Sequence, residues 1–174
     1  LRSNTTGNSN TAMGNSSLSN NTFGYENTGL GIYSLNSNTS GFSNTALGRY
    51  SLYTNTTGNS NTGLGSNSLY SNTNGFRHTA IGYESLFSNT TGVNNTGIGY
   101  RAGNLITSGI NNIAIGNDAQ VPSGTSSNQV RIGNTSIFYA GIQVAWTITS
   151  DRRWKQDILT SNLGLGFITK LIPV

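Results

Sequence analysis

The 174-residue chain has no cysteine, two prolines, one histidine and little charge of either sign: five acidic and nine basic residues, 8% in all. Without cysteine there is no disulfide framework and no thiolate metal centre. Sparse charge argues against a disordered polar tract, because the disorder signature couples low hydrophobicity to high net charge. The basic excess gathers in Arg152, Arg153 and Lys155, while the repeats carry only scattered Arg2, Glu26, Arg49, Arg77, Glu84 and Arg101. A nucleic-acid binder needs a basic stripe or face, so no nucleic-acid partner is expected. No apolar run reaches membrane-spanning length and no signal-peptide pattern is present, so no membrane insertion is expected in this stretch. The single His78 stands alone, so no metal or cofactor is expected either.

What the chain has is glycine, asparagine, serine and threonine in strict period. One glycine recurs as Gly7, Gly24, Gly41, Gly58, Gly75, Gly92 and Gly109, and a second as Gly14, Gly31, Gly48, Gly65, Gly82, Gly99 and Gly116. Seventeen residues separate successive members of each set, and self-similarity at a fixed period is the mark of a solenoid or stacked array. The expected fold is all-β: a parallel β-roll or β-solenoid of seventeen-residue coils over residues 1–116. Leu1-Arg-Ser-Asn-Thr-Thr6 already reads as the back half of a unit, so a longer fibre with any targeting segment upstream is expected.

Within each unit, Asn-Thr-(Ala/Gly)-(Leu/Ile/Met)-Gly reads as a short strand closed by a turn glycine. Alternation along a strand sends Thr and the aliphatic to one face and the small residue to the other. Ile113 replaces Thr in the last unit, so both of the larger columns are expected inward. The small column (Ala12, Gly29, Ala46, Gly63, Ala80, Gly97, Ala114) is expected on the outside, where another backbone can approach. A second strand is expected at the Ser-Leu pairs carrying Leu18, Leu35, Leu52, Leu69 and Leu86. Two large aliphatics per coil bury too little apolar surface to offset the ordering of seventeen residues. Coils therefore need neighbours along the axis and around it, which implies lateral association.

The Asn columns (Asn21, Asn38, Asn55, Asn72, Asn89; and Asn10, Asn27, Asn44, Asn61, Asn95, Asn112) fall at turns, where asparagine tolerates left-handed backbone and stacked amides form ladders. Three functional patterns compete with that structural role. Regular Thr columns suit an ice-binding face, although paired Thr-x-Thr on one strand is missing. Asn55-Thr-Thr57 and Asn89-Thr-Thr91 are glycosylation sequons, of a kind this composition generates by chance. Aromatics recur in register as Tyr53, Tyr70 and Phe87, as Tyr25, Phe42 and Phe76, and as Tyr33 and Tyr50. Tyr53, Tyr70 and Phe87 are candidate glycan or receptor contacts by ring stacking. The competing reading is that these aromatics cover the core or fill subunit seams.

Asn44-Thr-Ala-Leu-Gly48 and its copies resemble the left-handed β-roll of trimeric autotransporter adhesin heads. They are closer still to the repeats of phage-type tail-fibre proteins and of secreted bacterial proteins with tail-fibre domains. That resemblance implies a homotrimeric fibre, extracellular, on a cell surface or in a virion, that displays a receptor- or glycan-binding surface.

After Gly116 the glycine pattern changes, and residues 117–149 read as a junction or clasp: a polar loop from Asn117 to Asn128, then apolar strands at Gln129–Gly133 and Ile137–Trp146. Residues 150–174 carry Ser150-Asp-Arg-Arg-Trp-Lys-Gln-Asp-Ile158 and then Leu163-Gly-Leu-Gly-Phe-Ile-Thr-Lys-Leu-Ile-Pro-Val174. This resembles the opening of the endosialidase-type intramolecular chaperone domain at the C-termini of phage tailspikes and tail fibres. In that family the chaperone trimerises, assembles the fibre and cuts itself off before the motif serine. The resemblance implies Ser150 as nucleophile and Lys155 as its base, a pairing in which a neutral, desolvated lysine activates the hydroxyl. A helix starting here would bring the two near each other. The family's domain extends further than Val174, and a segment this short does not supply its long trimerising helices. The expected function is therefore a structural, adhesive fibre segment and not an enzyme beyond a single self-cleaving turnover. Two alternatives stand beside it: self-processing by Ser150 and Lys155 as the main chemistry, and an ice-binding solenoid.

Overall fold

The computed structural model describes residues 1–137. The expectations placed on residues 138–174, among them the apolar segment through Trp146, a helix start and the Ser150–Lys155 pair, lie outside the described residues. Within them the chain is a parallel β-solenoid. Eight three-residue strands, β1 Thr11–Met13, β2 Thr28–Leu30, β3 Thr45–Leu47, β4 Thr62–Leu64, β5 Thr79–Ile81, β6 Thr96–Ile98, β7 Ile113–Ile115 and β8 Val130–Ile132, form one sheet in sequence order. Every pairing is parallel and offset by one unit, as in Thr45↔Thr62, Ala46↔Gly63 and Leu47↔Leu64. We number the coils by their strands.

Each strand is short because a glycine in a left-handed conformation ends it: φ is +134° at Gly48 and +137° at Gly65. The remaining residues of the coil are turns, yet their amides also ladder from coil to coil. The N–H groups of Leu52, Thr54 and Thr56 donate to the carbonyls of Ser68, Tyr70 and Thr73 at 2.9, 3.1 and 2.8 Å. Backbone groups are thus paired along the axis all round the coil, which is how so polar a chain satisfies its interior.

Three expectations are corrected. First, each coil has one strand, not two. The Ser-Leu segment is a turn in which Leu18, Leu35, Leu52, Leu69 and Leu86 adopt φ of 48–52°, a region that bulky side chains seldom occupy. Their side chains are nonetheless fully buried and form the apolar core. Second, the strand faces are reversed: the small column points inward, with Ala46, Ala80 and Ala114 fully buried, while the Thr and aliphatic columns face out. The leucine column and the serine beside it already fill the coil, so the inward strand position has room for a methyl group or a hydrogen. Third, the solenoid does not stop at Gly116. Residues 117–133 make one more coil, with β8 in register on β7 and the Thr107 N–H bonded to the Gly124 carbonyl at 2.9 Å.

The inward column alternates Ala and Gly without exception from Ala12 to Ala114, and the serines explain why. Before a glycine coil, the serine hydroxyl leans into the space a Cβ would take: Ser51 Oγ donates to the Gly63 carbonyl at 3.0 Å and lies 2.9 Å from Ser68 Oγ. Ser68, which precedes an alanine coil, turns back to the Gly65 carbonyl of its own coil at 2.9 Å. A Cβ on Gly63 would sit 2.5 Å from Ser51 Oγ and 3.0 Å from Ser68 Oγ. Gly63→Ala is therefore expected to lower stability by about 1–2 kcal/mol, the cost of displacing one buried hydroxyl from its partners, although alanine is native one coil away. A urea midpoint equal to that of the unmodified chain would contradict this.

Candidate binding surfaces

Two longitudinal surfaces and one buried column stand out. The first surface is the outward sheet face. Its aliphatic column runs through Met13, Leu30, Leu47, Leu64, Ile81, Ile98, Ile115 and Ile132, with Leu47 through Ile115 each 36–42% exposed. Exposed Ile32, Tyr83 and Tyr100 widen it on one side. The Thr column lies between this stripe and a second, mostly apolar column, Tyr25, Phe42, Phe76, Val93 and Ile110, interrupted by Asn59, whose last three apolar members are joined by parallel bridges. Strand-to-strand spacing of about 4.8 Å makes the stripe continuous along the rod. Single exposed apolar residues are ordinary on a protein surface, but an uninterrupted apolar stripe marks an interaction surface.

The second surface is an aromatic ribbon on the far side of the turn glycine. Tyr53, Tyr70 and Phe87 stack with centroids 5.2 and 5.1 Å apart and planes within 21° and 10°. Tyr33 stacks on Tyr50 at 5.2 Å, and Tyr50 meets Tyr53 edge-on at 5.3 Å, with the Arg49 guanidinium 4.7 Å over the Tyr50 ring. The structure thus brings together the three residues singled out from sequence and adds Tyr33, Tyr50 and Arg49 to them. Their faces cover one another along the axis, so the outer rim of the ribbon is ring edge and hydroxyl. A sugar ring stacks on an aromatic face, and here both faces of Tyr70 and the facing sides of Tyr53 and Phe87 are already taken. A separate pair, Tyr83 and Tyr100, stacks at 5.6 Å beside an ion pair of Glu84 and Arg101 at 3.5 Å. The hydrogen bond from the Tyr83 hydroxyl to the Glu84 carboxylate raises the phenol above its ordinary pKa.

The buried column is polar. In one Asn series, Nδ2 of Asn38, Asn55 and Asn72 donates to Oδ1 of the asparagine one coil earlier at 2.8, 2.9 and 2.7 Å. In the other, Oδ1 of Asn27 and Asn44 accepts the next coil's backbone N–H at 3.0 Å, while Nδ2 of Asn44 reaches the Gly58 carbonyl at 2.8 Å. Asn55 and Asn89 are fully buried, so neither sequon presents its amide for glycosylation in the folded chain. His78 takes the place of an asparagine in the second series, and burial lowers its pKa from 6.5 to about 4. Among the described residues no three His, Cys, Asp or Glu side chains cluster as metal ligands.

Two features escaped the sequence reading. Coil 8 was signalled by Gly133 standing one period after Gly116, but Arg131 in the Ala/Gly column hid it; its Nε bonds the Gly133 carbonyl at 2.9 Å. In coil 6, Gly103 replaces the core leucine and Ile106 replaces the ladder asparagine. The isoleucine fills the vacated core, with its Cδ1 3.0 Å from where a Gly103 Cβ would stand. Comparison with protein-family models, curated proteins and solved structures found no match to the chain.

Proposed function

We propose that this chain is a shaft segment of a homotrimeric fibre whose seams are lined by the outward apolar columns. The observation that carries the reading is the outward aliphatic stripe of coils 1–8, exposed in every coil but the second, where Leu30 is half-buried. A stack of thin coils leaves this face unburied in a single chain, and a second copy laid alongside in the same direction covers it. Parallel rods related by a threefold axis meet through two different faces, a heterologous contact. The two apolar columns on either side of the Thr column meet that requirement, one from each of the two rods that face each other. The resemblance of the repeats and of the Ser150 segment to fibre proteins supports an extracellular or virion setting and assembly by a C-terminal chaperone. Glycan stacking on Tyr53, Tyr70 and Phe87 is left out of the proposal, because the inner faces of that stack are engaged with each other.

Sedimentation equilibrium tests it. The chain is expected to run at three times its 18.3 kDa mass, and the double change Leu64→Asp, Ile81→Asp to run as a monomer. Both side chains already face solvent in the single chain, so the loss is of association. A monomeric unmodified chain at micromolar concentration would sink the trimer. A second reading draws on the outward Thr column, which the sequence had placed inside: a flat Thr-bearing face is what an ice-binding solenoid presents. A monomer that inhibits ice recrystallisation would select that reading.

A further inference from the structure

We propose that the rod contains an acid-labile joint at His78, where coil 5 meets coil 6. Every other member of this column in coils 1–8 is a carboxamide, Asn10, Asn27, Asn44, Asn61, Asn95, Asn112 or Gln129, and none of these titrates. His78 does the same work with an imidazole: its backbone N–H donates to Asn61 Oδ1 at 3.0 Å, and its ring Nδ1 accepts the Asn95 backbone N–H at 3.1 Å. That acceptor role requires Nδ1 to be unprotonated, so the proton sits on Nε2. Nε2 faces the Gly92 carbonyl without completing a hydrogen bond and has no other partner.

The neighbouring column is weak at the same level. Asn89, also in coil 5, has Ile106 above it in place of an asparagine, and both atoms of its amide lack partners. The three described carboxylates, Glu26, Glu84 and Asp118, stand on outer turns and bond to Ser43, Arg101 and Gln120 respectively. No anion is therefore placed against the ring. Protonation of Nδ1 removes the acceptor for the Asn95 N–H and leaves two donors facing each other. It also puts a positive charge in an interior that is otherwise neutral.

The sign follows from linkage. With a folded pKa of about 4 against 6.5 in the unfolded chain, the unfolded state takes up the proton first. Stability is complete above pH 6.5, falls as pH drops toward 4, and levels off below that. Between pH 7.5 and 4.5 the unfolding constant should rise by about 70-fold from this group alone. The full chain and His78→Asn, which installs the residue native to the column, are compared at pH 7.5 and 4.5 by urea unfolding and amide exchange. We expect the native chain to lose stability relative to the variant only at pH 4.5, with Asn95 and its neighbours in coil 6 exchanging earliest. Equal pH responses in the two proteins, or an NMR titration of His78 at or above pH 6.5, would overturn the joint. Acid loss of equal size in both with opening elsewhere would place the weakness in another coil.

Discussion

Replacing Gly65 by valine should cost the fold at least about 4 kcal/mol, the range reserved for changes that break a backbone or core requirement outright. Gly65 sits at φ +137°, and a Cβ there would lie 2.5 Å from the Gly82 carbonyl oxygen and 2.7 Å from its carbon. Backbone cannot yield as a flexible side chain would. The Gly82 N–H is bonded to the Leu64 carbonyl at 2.7 Å, so pushing coil 5 away breaks the ladder that defines the coil spacing. A β-branched side chain adds its own penalty at positive φ. Gly31, Gly48, Gly82, Gly99 and Gly116 repeat the same conformation at +118° to +139°, which gives the defect no slack in neighbouring coils to relax into. Urea unfolding followed by circular dichroism measures the loss. Thr57→Val, on an exposed turn of the same rod, should move the midpoint by less than about 0.5 kcal/mol. A Gly65→Val chain that keeps its midpoint would mean that the coils are not held at strand spacing.

The period of the solenoid was open to reading because glycine at these two positions answers a backbone need that few other residues meet. Its facing was not. A strand of three residues offers one side with two positions and one with a single position, and hydrophobicity assigns the larger pair inward. What decides otherwise is the width of the coil, set by leucines in a turn. Nothing in the identity of Leu52 announces a φ of 52°. That angle holds because the Leu52 carbonyl takes the Asn55 N–H at 3.2 Å within the turn while its own N–H is taken by the Ser68 carbonyl, a contact that exists only once coils stack. The available clue was the inward column itself, which accepts Ala and Gly alone in coils 1–7, a restriction expected of a crowded interior and not of a surface.

The aromatic candidates show the same division. Their register placed Tyr53, Tyr70 and Phe87 in one column, and the structure keeps them there. Register alone could not tell that neighbouring rungs bring rings within stacking distance, so that a column of potential sugar platforms becomes a column of mutually covered faces. Aromatic pairing adds about 0.5–1.5 kcal/mol beyond burial, a contribution to the stack made without help from any ligand. Apolar surface that remains unspent is on the other side of the turn, along the aliphatic stripe, and this is the reason association carries the functional proposal.

Asn55→Ala is expected to destabilise the chain by about 2–3 kcal/mol, more than its small apolar change implies. Asn55 Nδ2 donates to Asn38 Oδ1 at 2.9 Å and to the Gly58 carbonyl at 3.0 Å, and its Oδ1 accepts from Asn72 Nδ2 at 2.7 Å. The Gly58 carbonyl keeps Asn44 Nδ2 at 2.8 Å, and Asn72 Nδ2 keeps the Gly75 carbonyl at 3.1 Å. Asn38 Oδ1 keeps nothing comparable, so one buried acceptor is stranded at about 1–3 kcal/mol beside a void the size of a carboxamide. Because the amides are linked in series, the loss should extend along the column: amide exchange at Asn38, Asn72 and the turns around them should quicken together. Asn89 is the internal control. Both atoms of its amide are already without partners, so Asn89→Ala removes less and should cost no more than about half as much. Equal losses at the two positions would show that the interior amides act as separate turn formers and not as one ladder.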